Sequence, residues 1–143
     1  HATHCGDVAL IQLTHNRHFL REQPFPTFMD AEEPWPLVRA DIRVESCVID
    51  QCRVGQLGPR GLPAKKPTEV LASAKELLIP FTDLRCQGGH EHDSLENGGG
   101  KRCRLWTWDF ASRVVNGIVL LKGYPAPWPC QLQCICSSRH TCR

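Results

Sequence analysis

Residues Ala40–Gly55 read ADIRVESCVIDQCRVG. Ile42, Val44, Val48 and Ile49 are β-branched and favour an extended chain, so the segment predicts a strand. Gly55, Gly58 and Gly61 break the following GQLGPRGLPAKKP into a loop. TEVLAS, Thr68–Ser73, then predicts a second strand, and the two together predict a hairpin-like ribbon with a basic, glycine-rich connection.

Two helices are expected beside this ribbon. Ser73 and Glu76 match a capping box, Leu77 and Leu78 supply an apolar side, and Pro80 ends the helix. The stronger helix begins at Thr107, a good N-cap, with Asp109 on the positive first turn. Phe110, Val114, Ile118 and Leu121 recur at helical spacing, and Lys122 and Gly123 form a basic last turn and a C′ glycine. This helix is expected to pack on the ribbon.

Elsewhere the pattern is weaker. DVALIQL, Asp7–Leu13, fits a buried strand or a short helix. EQPFPTFMDAEEPWP, Glu22–Pro36, carries four prolines and predicts an ordered loop without regular structure. ENGGGKR, Glu96–Arg102, has the composition of a flexible connection. The expected fold is α+β: a small, loop-rich single domain over residues 1–122, with a short β-ribbon and two helices, stabilised by zinc. Residues 123–143 are expected to be a Pro/Cys-rich tail.

At 143 residues the chain can bury a modest core. Seventeen Lys+Arg against 15 Asp+Glu give a net charge of +2, which neither demands nor excludes a nucleic-acid partner. The most apolar run, Val114–Leu121, is bracketed by Arg113 and Lys122 and falls short of the roughly 20 residues a bilayer requires. The chain begins with His1, so a processed, truncated or internal piece is expected.

Nine cysteines are an odd number and unevenly spaced, which fits a reduced, intracellular chain better than a disulfide framework. RCQGGHEH, Arg85–His92, places Cys86, His90 and His92 within eight residues. Zinc takes cysteine sulfur and histidine nitrogen, and Gly88 and Gly89 allow a tight turn. Cys52 is the first candidate for a fourth ligand and Cys103 the second. The spacing is not that of a standard finger. H-x-H puts two side chains on opposite sides of an extended segment, so joint ligation requires the chain to turn. The competing reading is a surface loop with two solvated histidines and a free cysteine. Cys130, Cys134, Cys136, His140 and Cys142 in the tail could bind metal or form disulfides.

Arg53, Arg60, Lys65 and Lys66 place four cations and no acid in fourteen residues. Such a loop can lie along phosphates of DNA or RNA, or it is simply solvated. Trp35, Trp106, Trp108 and Trp128 can stack on bases, or fill a core or an interface. His15 and His18 have no acidic or nucleophilic partner at useful spacing. There is no P-loop, no G-x-S-x-G and no G-x-G-x-x-G.

RHFLREQPFPTFM, DQCRVGQLGPRGLPAKKPTEVLAS and LRCQGGHEHDSL occur in that order. Together they resemble a segment of copia-type retroelement polyproteins of protists and fungi, with the pattern E-[NQ]-P, D-x-C-x-x-G, K-K-x-T and C…H-x-H over about Val8–Leu121. The same order is similar to the latter half of cytosine-5 DNA methyltransferases and their degenerate relatives, where Glu22-Gln23-Pro24 would match an E-N-[VP] motif with Gln23 in place of Asn. The resemblance implies a nucleic-acid-associated module with Cys52, Cys86, His90 and His92 as a structural cluster. It does not imply methyl transfer. That chemistry needs a Pro-Cys loop and a glycine-rich S-adenosylmethionine site ahead of the Glu motif, and only 21 residues precede Glu22. The one Pro-Cys pair, Pro129-Cys130, lies after it. A non-catalytic chain is therefore expected, with a nucleic acid or a larger protein assembly as its partner.

Overall fold

The computed structural model describes residues 2–95, 103 and 105–124. The tail cysteines from Cys130 onward, His140, Trp128 and the Glu96–Arg102 connection lie outside the described residues. Over the described residues the chain is mixed α+β, with four α-helices and a three-stranded antiparallel sheet. The strands are β1 (Leu20–Pro24), β2 (Glu45–Asp50) and β3 (Pro67–Ala72), in the order β1-β3-β2.

The predicted ribbon is β2 and β3, paired antiparallel from Glu45↔Ala72 to Asp50↔Pro67. It starts later than the β-branched run suggests. Asp41 Oδ1 accepts the Arg43 N–H at 2.9 Å, and the Val44 N–H bonds to Asp41 O at 2.9 Å. This local turn takes Ile42 out of the strand and leaves it 96% exposed.

β1 runs into the Glu22–Pro36 stretch expected to be an ordered loop without regular structure. It pairs with the free edge of β3, from Leu20↔Ala72 to Pro24↔Thr68. Proline is tolerated there because β1 is an edge strand and Pro24 its last residue. The rest of the proline-rich stretch also departs from the expectation. It forms a 3-10 turn at Met29–Ala31 and opens α2 (Trp35–Ala40), whose Pro36 sits in the first turn, where no donor is needed.

Side chains alternate across the sheet, so neighbours on β3 enter different cores. Leu71 packs with Ala9 and Leu13 of α1 (Ala2–Thr14) and with Trp35 and Val38 of α2. Asp7–Leu13 is thus helical. Val70 and Ala72 face the other layer, with Ile49, Leu77 and Leu78 of α3 (Lys75–Leu78), Phe81, Leu84 and Phe110 of α4 (Trp108–Leu121). The Phe81 and Phe110 ring centroids are 5.1 Å apart.

α4 follows its sequence signals closely. Thr107 Oγ1 accepts the Phe110 N–H, and Gly123 takes a left-handed φ of 69° past the last turn. α3 does not use the expected capping box. Ser73 Oγ instead accepts the Phe19 N–H at 3.0 Å, tying the start of β1 to the end of β3. Among the described residues no helix is long and apolar enough to cross a membrane.

Candidate metal centre

β2 ends at Asp50, and a 3-10 turn, Gln51–Val54, follows and carries Cys52. The segment after α3 returns alongside: the Asp50 N–H donates to Leu84 O at 3.0 Å, and the Cys86 N–H donates to Asp50 Oδ2 at 2.8 Å. The two cysteines are thereby brought together from elements far apart in sequence. Gly88 and Gly89 both take positive φ, 85° and 82°, values a side chain would resist. The segment from His90 to His92 does not place its two histidines on opposite sides: both imidazoles approach the Cys86 sulfur. The rings of His90 and His92 meet edge to face, 4.4 Å between centroids.

The ligand atoms of Cys52, Cys86, His90 and His92 all lie within 4.8 Å of one another. Cys86 Sγ is 3.4 Å from His92 Nε2 and 3.8 Å from His90 Nε2. The Gly88 N–H points to Cys86 Sγ at 3.5 Å. Cys103 is not part of the group; it is buried, with its Sγ directed at Leu57 O. Burial, the hydrogen bond with Cys86 and the nearby charges push the Cys52 thiol up to about 11. These four residues form a group that can hold a metal ion.

No family model, curated protein or solved structure matches the chain.

The far end of the loop that carries His90 and His92 is fastened separately. Asp93, next to His92, buries its carboxylate and accepts the Arg60 backbone N–H at 2.6 Å and Arg60 Nε at 2.7 Å. Its own N–H donates to Pro63 O at 2.9 Å. The hydrogen bond from Arg60 holds the Asp93 carboxyl below the usual carboxylate range.

The four candidate nucleic-acid cations therefore differ. Arg53 and Lys65 are exposed. Arg60 is engaged by Asp93, and Lys66 Nζ donates to Cys103 O at 3.2 Å. Thr107 Oγ1 donates to Val54 O at 2.5 Å, which seats Trp106 and Trp108 next to the turn that carries Arg53. Trp108 is 82% exposed. Trp106 Nε1 donates to Glu22 Oε2 at 3.3 Å, so the glutamate of the Glu22-Gln23-Pro24 motif is held by an indole. Trp35 is buried in the core.

A second polar cluster escaped the sequence reading. On the α1/α2 side of the sheet, Arg21 pairs with Asp30 at 2.8 Å and Glu69 at 3.0 Å, and Arg39 pairs with the same two acids. The Arg21 guanidinium lies 4.0 Å over the Trp35 ring. The signal was available in TEVLAS, where Glu69 stands directly before two core residues, Val70 and Leu71, and its side chain is only 5% exposed. A charge at such a position requires a partner.

Proposed function

We propose that Cys52, Cys86, His90 and His92 hold a structural zinc ion and that the chain is a non-catalytic, nucleic-acid-associated module built around it. The observation that carries the zinc reading is the spacing of the donors. A tetrahedral zinc with sulfur at about 2.3 Å and nitrogen at about 2.05 Å sets its sulfur–nitrogen edges near 3.6 Å. The two sulfur–nitrogen separations at Cys86, 3.4 and 3.8 Å, bracket that edge, and all four donors lie within 4.8 Å of one another. Two thiolates and two imidazoles are the donor types zinc takes, and four protein ligands leave no open position for a reacting water. Such a site contributes folding free energy rather than chemistry.

The nucleic-acid reading is supported by the surface near Cys52 and by the resemblance of its motif order to retroelement polyproteins. Arg53 and Lys65 offer cations to phosphates, and the adjoining exposed Trp108 offers a stacking face. One observation favours a second reading, docking on another protein: Phe28 is 95% exposed, and Leu105 and Leu37 are exposed as well.

Two measurements test this. Metal analysis of reduced protein is expected to find one zinc per chain, and less than about a tenth of an equivalent removes the zinc reading. Titration of fluorescent oligonucleotides is expected to show binding that weakens steeply with salt; no binding at about 50 mM salt removes the nucleic-acid reading and leaves protein docking.

A further inference from the structure

Beside the cluster stands a carboxylate that the four-ligand set does not use. Asp50 is 0% exposed, two residues before Cys52. Its Oδ2 accepts the Cys86 backbone N–H at 2.8 Å and faces Arg85 Nε at 3.4 Å. Its Oδ1 is buried and has no hydrogen-bond partner among the described residues. A buried carboxylate with an open oxygen is unfavourable for the fold on its own. Arg85 offsets little of this, because its side chain is half exposed. A residue that packing alone required here would be better as an apolar side chain of the same shape.

What Asp50 does accomplish is local. It is the only described residue whose side chain hydrogen-bonds the backbone of Cys86, and its own N–H bonds Leu84, two residues before Cys86. Asp50 thus grips the incoming segment at Leu84 by its main chain and at Cys86 by its side chain. Cys86 is the sulfur that both histidines approach.

We propose that Asp50 is the positioning residue of the metal centre, clamping the Cys86 main chain so that its sulfur meets Cys52 and both imidazoles. The inference rests on the zinc reading above. It gives the D-x-C spacing a physical meaning. The cysteine supplies one ligand, and the aspartate two residues earlier holds the segment that supplies the other three. Partners of this kind typically govern metal affinity without touching the ion.

The test uses the reduced 143-residue chain, cobalt(II) as a spectroscopic probe, and zinc competition. Wild type is expected to bind one cobalt, with thiolate charge-transfer and tetrahedral d–d bands. In Asp50→Ala the affinity is expected to fall about 10–100-fold, with the bands retained because all four ligands remain. In Asp50→Asn, whose amide oxygen still accepts the Cys86 N–H without a charge, an intermediate loss is expected, of the order of 5–10-fold. Should Asp50→Ala fail to fold by circular dichroism, Asp50→Leu, which also removes the acceptor but fills the space, carries the test: affinity within about twofold of wild type overturns the proposal. A merely structural Asp50 would lower the urea midpoint of the metal-free protein and leave cobalt affinity unchanged, which also overturns it. No cobalt binding by wild type removes the zinc reading itself, and this proposal falls with it.

Discussion

Gly58 and Asp93 occupy one space. A Cβ on residue 58 would stand 2.6 Å from Asp93 Oδ2, the oxygen that accepts the Arg60 backbone N–H. Gly58→Ala must therefore push the Asp93 carboxylate away from Arg60 and loosen the far end of the loop that carries His90 and His92. The expected cost is about 1–3 kcal/mol, read as a lower urea midpoint and, if zinc is bound as proposed, as its faster release to a chelator. An unchanged midpoint together with an unchanged release rate would show that Asp93 does not anchor the loop.

If Cys52, Cys86, His90 and His92 hold zinc as proposed, the cysteines divide clearly. Cys52→Ser, Cys86→Ser and His92→Ala should each bring bound zinc well below one equivalent and lower the melting temperature of the zinc-loaded protein to that of the metal-free form. Cys103→Ala should keep the full equivalent, because its sulfur is directed at Leu57 O rather than at the cluster. Metal analysis after gel filtration decides between the two patterns.

The ion pairs on the α1/α2 face predict acid sensitivity with a definite sign. Burial disfavours the charged form of Asp30, and the hydrogen bonds from Arg39 and Arg21 outweigh it, so its folded pKa lies below the ordinary 3.8. A depressed carboxylate contributes stability that is present above its unfolded pKa and is lost as the pH falls through its folded one. Stability in wild type should thus decline below about pH 4, and less steeply in Asp30→Asn. Arg21→Met should be more damaging at neutral pH, because Glu69 then keeps only Arg39. The cost should lie somewhat under the about 3–5 kcal/mol of a fully orphaned buried charge. Urea unfolding at several pH values measures both.

If the chain binds single-stranded nucleic acid, the two exposed cations and the exposed indole should separate by salt dependence. Arg53→Ala and Lys65→Ala should each reduce the slope of log affinity against log salt by about 1. Trp108→Ala should weaken binding by about 1–3 kcal/mol at every salt concentration and leave the slope alone. Lys66→Ala should change the slope little, since its ammonium is held by Cys103 O.

Core burial gives a calibration for these effects. Phe110 is fully buried between Phe81 and Trp106, with centroids at 5.1 and 4.8 Å. Phe110→Ala should cost about 3–5 kcal/mol in urea unfolding, more than any surface change above.

Legibility in the sequence followed the locality of the forces. α4 is fixed by neighbours in sequence, the Thr107 cap, the Phe110–Val114 spacing and the Gly123 turn, and its signals agree with one another. β1 has no such signal. Arg21 and Gln23 face inward only because Asp30, Arg39 and Glu69 reach them from other elements, so LREQP shows no apolar alternation to read. Ser73 looks like a helix cap in sequence, yet its hydroxyl serves the backbone of Phe19, 54 positions away. The candidate ligands are legible as donor types, while the contact that brings their segments together, Cys86 N–H to Asp50 Oδ2, spans 36 positions. The H-x-H spacing suggests opposed side chains only for an extended segment, and here both imidazoles reach one sulfur.

The strand order has a consequence for biosynthesis. β3 is last in sequence but central in the sheet, and β1 and β2 both pair with it and not with each other. As the chain leaves the ribosome, both edges emerge before the only strand that can zip them, so every ladder hydrogen bond waits for Pro67–Ala72. Such late, non-local closure is slow and leaves strand surfaces unprotected meanwhile. Nascent chains halted before residue 67 should accordingly recruit holding chaperones and resist no protease, while those that have exposed Ala72 should begin to acquire protection.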